Sequence, residues 1–223
     1  MIKISCCIIT MDQADRIEIA IRSIKSYVSE VVVIDGGSKD NTVKIAESLG
    51  AKVYTKKWED DFGSQRSYSI KKASNDWILV LDSDESIEFG DGINFEKIIL
   101  DNPDYDGFRF TRANYLDKKQ TGSEFDFDKQ IRLFGRHGYY NDKIHEVVKG
   151  LKSIKDIDKS QCLMLHYKSK DEQRSHLLYQ KKLIINNIKE LEQKLDLSEE
   201  DKKRLVYEKK MLEVWDTWWQ DAK

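Results

Sequence analysis

The chain has 223 residues, enough for one sizeable α/β domain or a domain with an appendage. Charged residues make up 35% of it, yet the net charge is only −2, which excludes a broad basic surface for nucleic acid. No apolar stretch approaches the ~20 residues of a membrane span, and a single proline with no Gly/Ser linker argues against a string of domains.

Ile2 to Thr10 reads as the first buried strand, too short and too poorly flanked for a signal peptide. Asp12 to Tyr27 carries Ile17, Ala20, Ile21 and Ile24 at helical spacing. Val31 to Ile34 is a β-branched strand of the kind covered on both faces in a parallel sheet. A turn at Asp35-Gly36-Gly37-Ser38 follows, then a helix from Thr42 to Leu49 with Gly50 as its cap. Ala51–Tyr54 reads as a strand, Phe62–Ala73 as a helix and Trp77–Leu81 as a strand. This β-α-β-α-β-α-β order predicts an α/β fold with a doubly wound, mostly parallel sheet flanked by helices. Ligands of such sheets bind beyond the carboxyl ends of the strands, where Thr10, Asp35 and Asp82 fall.

Further on, Gly107–Arg112, Gln130–Phe134 and Gln161–Tyr167 read as strands, and the polar stretch Asp117–Lys129 between them as a mobile loop. From Asp171 the pattern is helical. Leu178, Lys181, Ile185, Ile188, Leu191 and Leu195 define one face, and Leu205, Leu212, Trp215 and Trp219 another. Ser198 with Asp201 resembles a helix N-cap box. The domain expectation is residues 1–170 as one domain and 171–223 as a C-terminal helical hairpin packed on it or extending from it. The cluster Trp215, Trp218 and Trp219 suits a core or a partner surface, including a homodimer through these helices. Cys6, Cys7 and Cys162 lie in apolar contexts without metal-site spacing, the usage of packed thiols in a cytoplasmic protein.

The stretch Asp82-Ser83-Asp84-Glu85 is the most informative. Two carboxylates stand where a strand leaves the core, a costly arrangement if they are unpaired. A divalent cation with oxygen ligands would offset that cost and grip a diphosphate; a solvated acidic turn is the plain alternative. Asp35 at a strand end suits a hydrogen bond to a base or ribose, or equally a strand-to-helix turn in which Asp40 or Asn41 caps the helix. Arg66 suits a phosphate, or simple exposure on a helix.

Taken together, Thr10 after the first strand, Asp35 through Thr42, Trp58 through Arg66 and Asp82 through Glu85 resemble the family 2 glycosyltransferases of the GT-A fold. The nearest branch holds lipopolysaccharide-core glucosyltransferases and bacteriocin S-glycosyltransferases. Its later Arg-Leu-Phe, His-Glu and His segments appear as Arg132-Leu133-Phe134, His145-Glu146 and His166-Tyr167. The resemblance implies an inverting, metal-dependent transfer of a hexose from a nucleotide-sugar donor, UDP-glucose or similar. Thr10, Asp35, Arg66, Asp82, Ser83 and Arg132 would line the donor site, Arg132 as a support or an internal ion pair. Asp82, Asp84 and His166 would hold Mn2+ or Mg2+, and Glu146, or else His145, would be the base. The chain departs from the branch at Asp12-Gln13, where Asn-Glu is common, and at Ser67, where Asn is favoured.

A dehalogenase-type phosphatase would place its Asp pair after the first strand, not the fourth. An EF-hand is excluded because Ile87 stands where glycine is required and Ile93 where the last Glu belongs. A nucleotidyltransferase needs a Gly-rich loop after strand one, and Met11 to Arg16 has no glycine. A non-catalytic nucleotide-sugar binding protein is the alternative to the enzyme. The acceptor, whether a saccharide, a lipid-linked saccharide, a peptide or a modified base, is not written in any motif. A membrane acceptor would be reached from the inner membrane face.

Overall fold

The structure is a computed structural model that describes residues 2–116, 119–120, 127–194 and 196–221. The chain divides into two compact units, Met1–Ser169 and Lys170–Lys223.

The first unit opens with β1 (Ile4–Thr10), α1 (Ile17–Ile24), β2 (Glu30–Asp35), α2 (Thr42–Ser48), β3 (Lys52–Thr55), α3 (Phe62–Lys72) and β4 (Trp77–Asp82). β3, β2, β1 and β4 lie side by side and parallel. Their continuous apolar runs follow from cover on both faces. Ile4, Cys6, Ile8, Val31, Val33, Leu79 and Leu81 join the cluster that holds the inner face of α1. The alternate residues Cys7, Val32, Ile34, Ile78 and Val80 join a second cluster with Ile70 of α3. Each such fully buried aliphatic side chain contributes about 1.5–3 kcal/mol. The three cysteines are buried and unbridged, and burial pushes the Cys7 thiol up to about 12.

The unit continues with β5 (Glu85–Phe89), α4 (Phe95–Leu100), β6 (Gly107–Leu116), β7 (Lys119–Gln120), β8 (Phe127–Gly135), β9 (Ile154–Asp156) and β10 (Cys162–Lys168). Sheet order is β3-β2-β1-β4-β8-β6-β10-β5, so the sheet is mixed. β8 runs antiparallel to both β4 and β6, and β5 antiparallel to β10. Only Ser83 and Asp84 separate β4 from β5, although β8, β6 and β10 stand between them in the sheet. The three steps from Asp82 to Glu85 reach about 10–11 Å, while four strand spacings of about 4.8 Å need nearly twice that in a flat sheet. The sheet must curl, and the curl brings β10 and β5 around to the carboxyl end of β4.

Several boundaries differ from the sequence reading. The helix expected from Asp12 starts at Ile17, because Asp12 takes a left-handed φ of 53° and the next residues bond to the loop after β2. β5 and α4 were missed because their apolar runs are short. Most of the expected loop Asp117–Lys129 lies outside the described residues. Within its described part, Lys119–Gln120 form β7 and Phe127 opens β8.

The second unit is a pair of helices, α5 (Lys170–Glu192) and α6 (Glu199–Asp221). The cap box forms as expected: Asp201 N donates to Ser198 Oγ at 3.1 Å, and Ser198 N to Asp201 Oδ2 at 3.4 Å. The buried side of α5 is Leu183, Ile184, Asn187, Ile188 and Leu191, whereas Leu178 is exposed. Asn187 Nδ2 donates to the buried Glu208 of α6, which also accepts from Arg204 at 2.9 Å. Leu195 and the side chains of Trp215, Trp218 and Trp219 lie outside the described residues. No helix among the described residues is long and apolar enough to cross a membrane.

Candidate active site

The loops after β1 and β2 are tied together. Asp12 Oδ1 accepts from Lys39 N at 2.7 Å, Asp12 N donates to Ser38 Oγ at 2.9 Å, and Gln13 N donates to Thr42 Oγ1 at 2.8 Å. The role of Asp12 needs only one acceptor oxygen, which aspartate supplies as asparagine would. Asp35 is buried and turned into its own loop, accepting from Gly37 N at 3.0 Å, Ser38 N at 3.1 Å and Ser38 Oγ. The strand-to-helix turn is thus formed, although Asn41, the N-cap residue of α2, makes no side-chain cap hydrogen bond. Thr10, its partner across β1 and β2, is buried with its Oγ1 lacking a hydrogen-bond partner among the described residues.

Asp82 is not left to a cation alone. Its Oδ1 lies 2.7 Å from Arg66 Nη1, and its Oδ2 accepts from Arg132 Nη2 at 2.9 Å. Burial by itself would raise its pKa, but the guanidinium groups of Arg132 and Arg66 hold the carboxyl well below the usual range. The expected unpaired carboxylate is therefore corrected for Asp82: two arginines already offset its charge. Beneath it, Glu85 has a side chain with 0% exposure. Glu85 accepts from Arg132 Nη2 at 2.7 Å, Arg112 Nη1 at 3.0 Å and Asp82 N at 3.0 Å. Arg112 in turn grips Asp128, its partner across β6 and β8.

Arg66 is not an exposed helical arginine. From α3 its Nε donates to Glu146 Oε1 at 2.7 Å, and its guanidinium lies 5.8 Å from the Tyr140 ring centroid. The segment carrying Glu146 is pressed onto α3. Phe62 N donates to Lys143 O at 2.9 Å and Ser67 Oγ to Tyr140 O at 2.6 Å. A Cβ on Gly63 would meet Asp142 O at 2.3 Å, so only glycine permits this approach. Burial raises the Tyr140 hydroxyl to about 12, so it stays neutral. His145 takes a left-handed φ of 53° just before Glu146.

Asp84 faces the far edge of the curled sheet. The register that pairs His166 with Glu85 across β10 and β5 sets His166 Nε2 3.3 Å from Asp84 Oδ2. On the other side His166 pairs with Asn114 of β6, and its Nδ1 lies 2.8 Å from Asn114 Oδ1. Asn114 also hydrogen-bonds Asp128, which lowers the Asp128 pKa. His166 Nε2 and Asp84 Oδ2 thus face each other across a distance that a shared proton or a bound cation can bridge. Burial would raise the Asp84 pKa, but hydrogen bonding and charge from His166 lower it.

The metal expectation thus fits in part. Asp84 and His166 form a two-donor pair suited to a hard cation that keeps waters and substrate oxygens, while Asp82 is held by arginines. Among the described residues no group of three or more His, Cys, Asp or Glu side chains is clustered for a metal. Ser83 is buried in the turn between the two aspartates. Glu85, Asn114 and Tyr140 were missed by sequence reasoning. Only the adjacency of Glu85 to Asp82 and Asp84 hinted at any of them.

Residues 5–91 match the sequence model of Glycosyl transferase family 2. An uncharacterized glycosyltransferase of Rickettsia bellii (strain RML369-C) is 52% identical over 85 residues, 38% of this chain and 29% of that protein. The SPbeta prophage-derived glycosyltransferase SunS of Bacillus subtilis (strain 168) is 32% identical over 83 residues, 36% of this chain and 20% of SunS. The alignments therefore span less than a third of those relatives. In three dimensions the chain is similar to residues 1–349 of S. aureus TarS in complex with UDP-GlcNAc, with a TM-score of 0.55 and 15% identity over 92% of this chain and 70% of that one. That likeness is one of fold, and it agrees with the GT-A architecture expected from the sequence.

Proposed function

We propose that this chain, whose residues 5–91 match family 2, transfers a hexose from a nucleotide-sugar, a UDP-hexose first among the candidates, to an acceptor with inversion. The observation that carries the reading is convergence: Arg66, Asp82, Arg132 and Glu146, with Asp84 and His166 beside them, come from five separate segments to one strand end.

Asp84 and His166 would hold Mn2+ or Mg2+, which when bound neutralises charge on the diphosphate. Arg66 and Arg132, fixed by Asp82 and Glu85, present cationic edges to phosphate without reorganising during reaction. Glu146 is the proposed base. Its Oε1 is fixed by Arg66, which leaves Oε2 to take the acceptor's proton. His145 sets the turn that presents Glu146 and is the second candidate for that proton. Thr10 Oγ1, buried and without a partner among the described residues, is the group at the carboxyl end of β1 best suited to the nucleoside. Asp35 shapes the loop beneath it, at the strand end where the base or ribose would lie. Ser83 is the turn residue nearest the sugar-diphosphate. The proposal extends to a saccharide, lipid-linked saccharide or peptide as acceptor, a cytoplasmic location, assembly through α5 and α6, and residues 1–170 as the catalytic domain.

A thermal-shift screen of nucleotide-sugars with and without Mn2+ tests it. Occupancy at a hundredfold excess over Kd stabilises a protein by about 2.7 kcal/mol. Melting temperature should rise with one donor class, more so with Mn2+; no rise with any donor would reject the reading. Binding without turnover on any acceptor would favour the non-catalytic alternative.

A further inference from the structure

β10 ends in His166-Tyr167-Lys168, and strand alternation puts His166 and Lys168 on the same side of the sheet. Tyr167 points to the other side, stacked on Tyr115 with ring centroids 5.1 Å apart. The Lys168 side chain is only 15% exposed, and its ammonium lies 3.9 Å from Asp84 Oδ2. That distance is beyond a hydrogen bond. The same oxygen already faces His166 Nε2 at 3.3 Å. An ammonium has three donors, and a largely buried cation is costly unless oxygens surround it. Lys168 is thus a half-buried cation without a carboxylate hydrogen bond among the described residues, at the mouth of the Asp84–His166 pair. Arg66 and Arg132, the other cations there, are already ion-paired with Asp82, Glu85 and Glu146.

We propose that Lys168 is a phosphate-binding residue that donates to the diphosphate of the bound nucleotide-sugar and stays on it as the nucleoside diphosphate leaves. The assignment rests on the nucleotide-sugar reading of this site. When the bond between the sugar's anomeric carbon and the phosphate oxygen breaks, its electron pair stays on that oxygen and the diphosphate gains one negative charge. A fixed ammonium stabilises that charge more than the ground state. The ligand class is accordingly a nucleoside diphosphate or its sugar ester rather than a nucleoside.

The test measures binding of UDP by calorimetry, and of uridine by saturation-transfer NMR, to the full chain in Mn2+ buffer. Wild type is compared with Lys168→Met and Lys168→Arg, with melting temperatures as a check of folding. A lost charge-assisted hydrogen bond weakens UDP binding by about tenfold or more. Lys168→Met should show that loss with uridine binding unchanged, and Lys168→Arg should recover most of it. Equal affinity of Lys168→Met and wild type for UDP would overturn the assignment while leaving the site reading intact. Equal weakening toward UDP and uridine would also overturn it, because it marks a structural role. If wild type binds none of UDP, GDP, ADP, CDP and dTDP, the site reading itself fails and Lys168 falls with it.

Discussion

Arg66 Nε donates to Glu146 Oε1 at 2.7 Å, joining α3 to a segment 80 residues later. The same guanidinium reaches Asp82, so one arginine sets the position of the proposed base relative to the strand end. Glu146→Gln keeps an acceptor for Arg66 but removes basicity. We expect a kcat lower by about 10²–10⁴, with donor KM and melting temperature little changed. Steady-state kinetics on an identified donor check this, and an unchanged kcat would transfer the role to His145.

Glu85 is the anchor beneath the site. Removing it leaves Arg112 and Arg132 without their shared carboxylate in a buried setting. Breaking a buried ion pair in this way costs about 3–5 kcal/mol. Urea unfolding of Glu85→Ala should show that loss, and a change under 1 kcal/mol would contradict the network described.

Asn114 Oδ1 lies 2.8 Å from His166 Nδ1 and orients the ring. Loss of such an orienting partner typically weakens metal binding about 10–100-fold. Asn114→Ala should therefore weaken Mn2+ binding in the presence of UDP, measured by electron paramagnetic resonance, without lowering the melting temperature comparably. Unchanged Mn2+ affinity would remove His166 from the proposed ligands.

Glu30 predicts a pH dependence away from the site. Burial would raise its pKa, but hydrogen bonds from Lys52, Ser5 and Ser74 pull it down from 4.5 to about 2. A carboxyl depressed on folding adds stability that is complete above the unfolded value and disappears as pH falls through the folded one. The stability difference between wild type and Glu30→Gln should thus be largest above pH ~5 and shrink toward pH ~2. A difference constant over that range would refute the ionic role of Glu30.

The parallel half of the sheet was legible because β1, β2 and β4 are unbroken apolar runs and Asp35 and Asp82 mark their ends. The partnerships of the site were less so. That Asp82 pairs with Arg66 and Arg132, or that Asn114 orients His166, depends on strand register and on the curl between β4 and β5, which no local pattern encodes. Arg66 and His166 could be picked out one by one, whereas Glu85 and Lys168 acquire meaning only from neighbours distant in sequence.

The central claim is that the strand end at Asp82–Asp84 activates a nucleotide-sugar. Its most direct test is release of UDP from UDP-glucose and other UDP-hexoses in Mn2+ buffer, wild type against Asp84→Ala. We expect measurable release by wild type and at least a ~100-fold loss in the variant, the scale of removing one electrostatic stabiliser of the leaving charge. Equal release by the two proteins, with both folded, would contradict it.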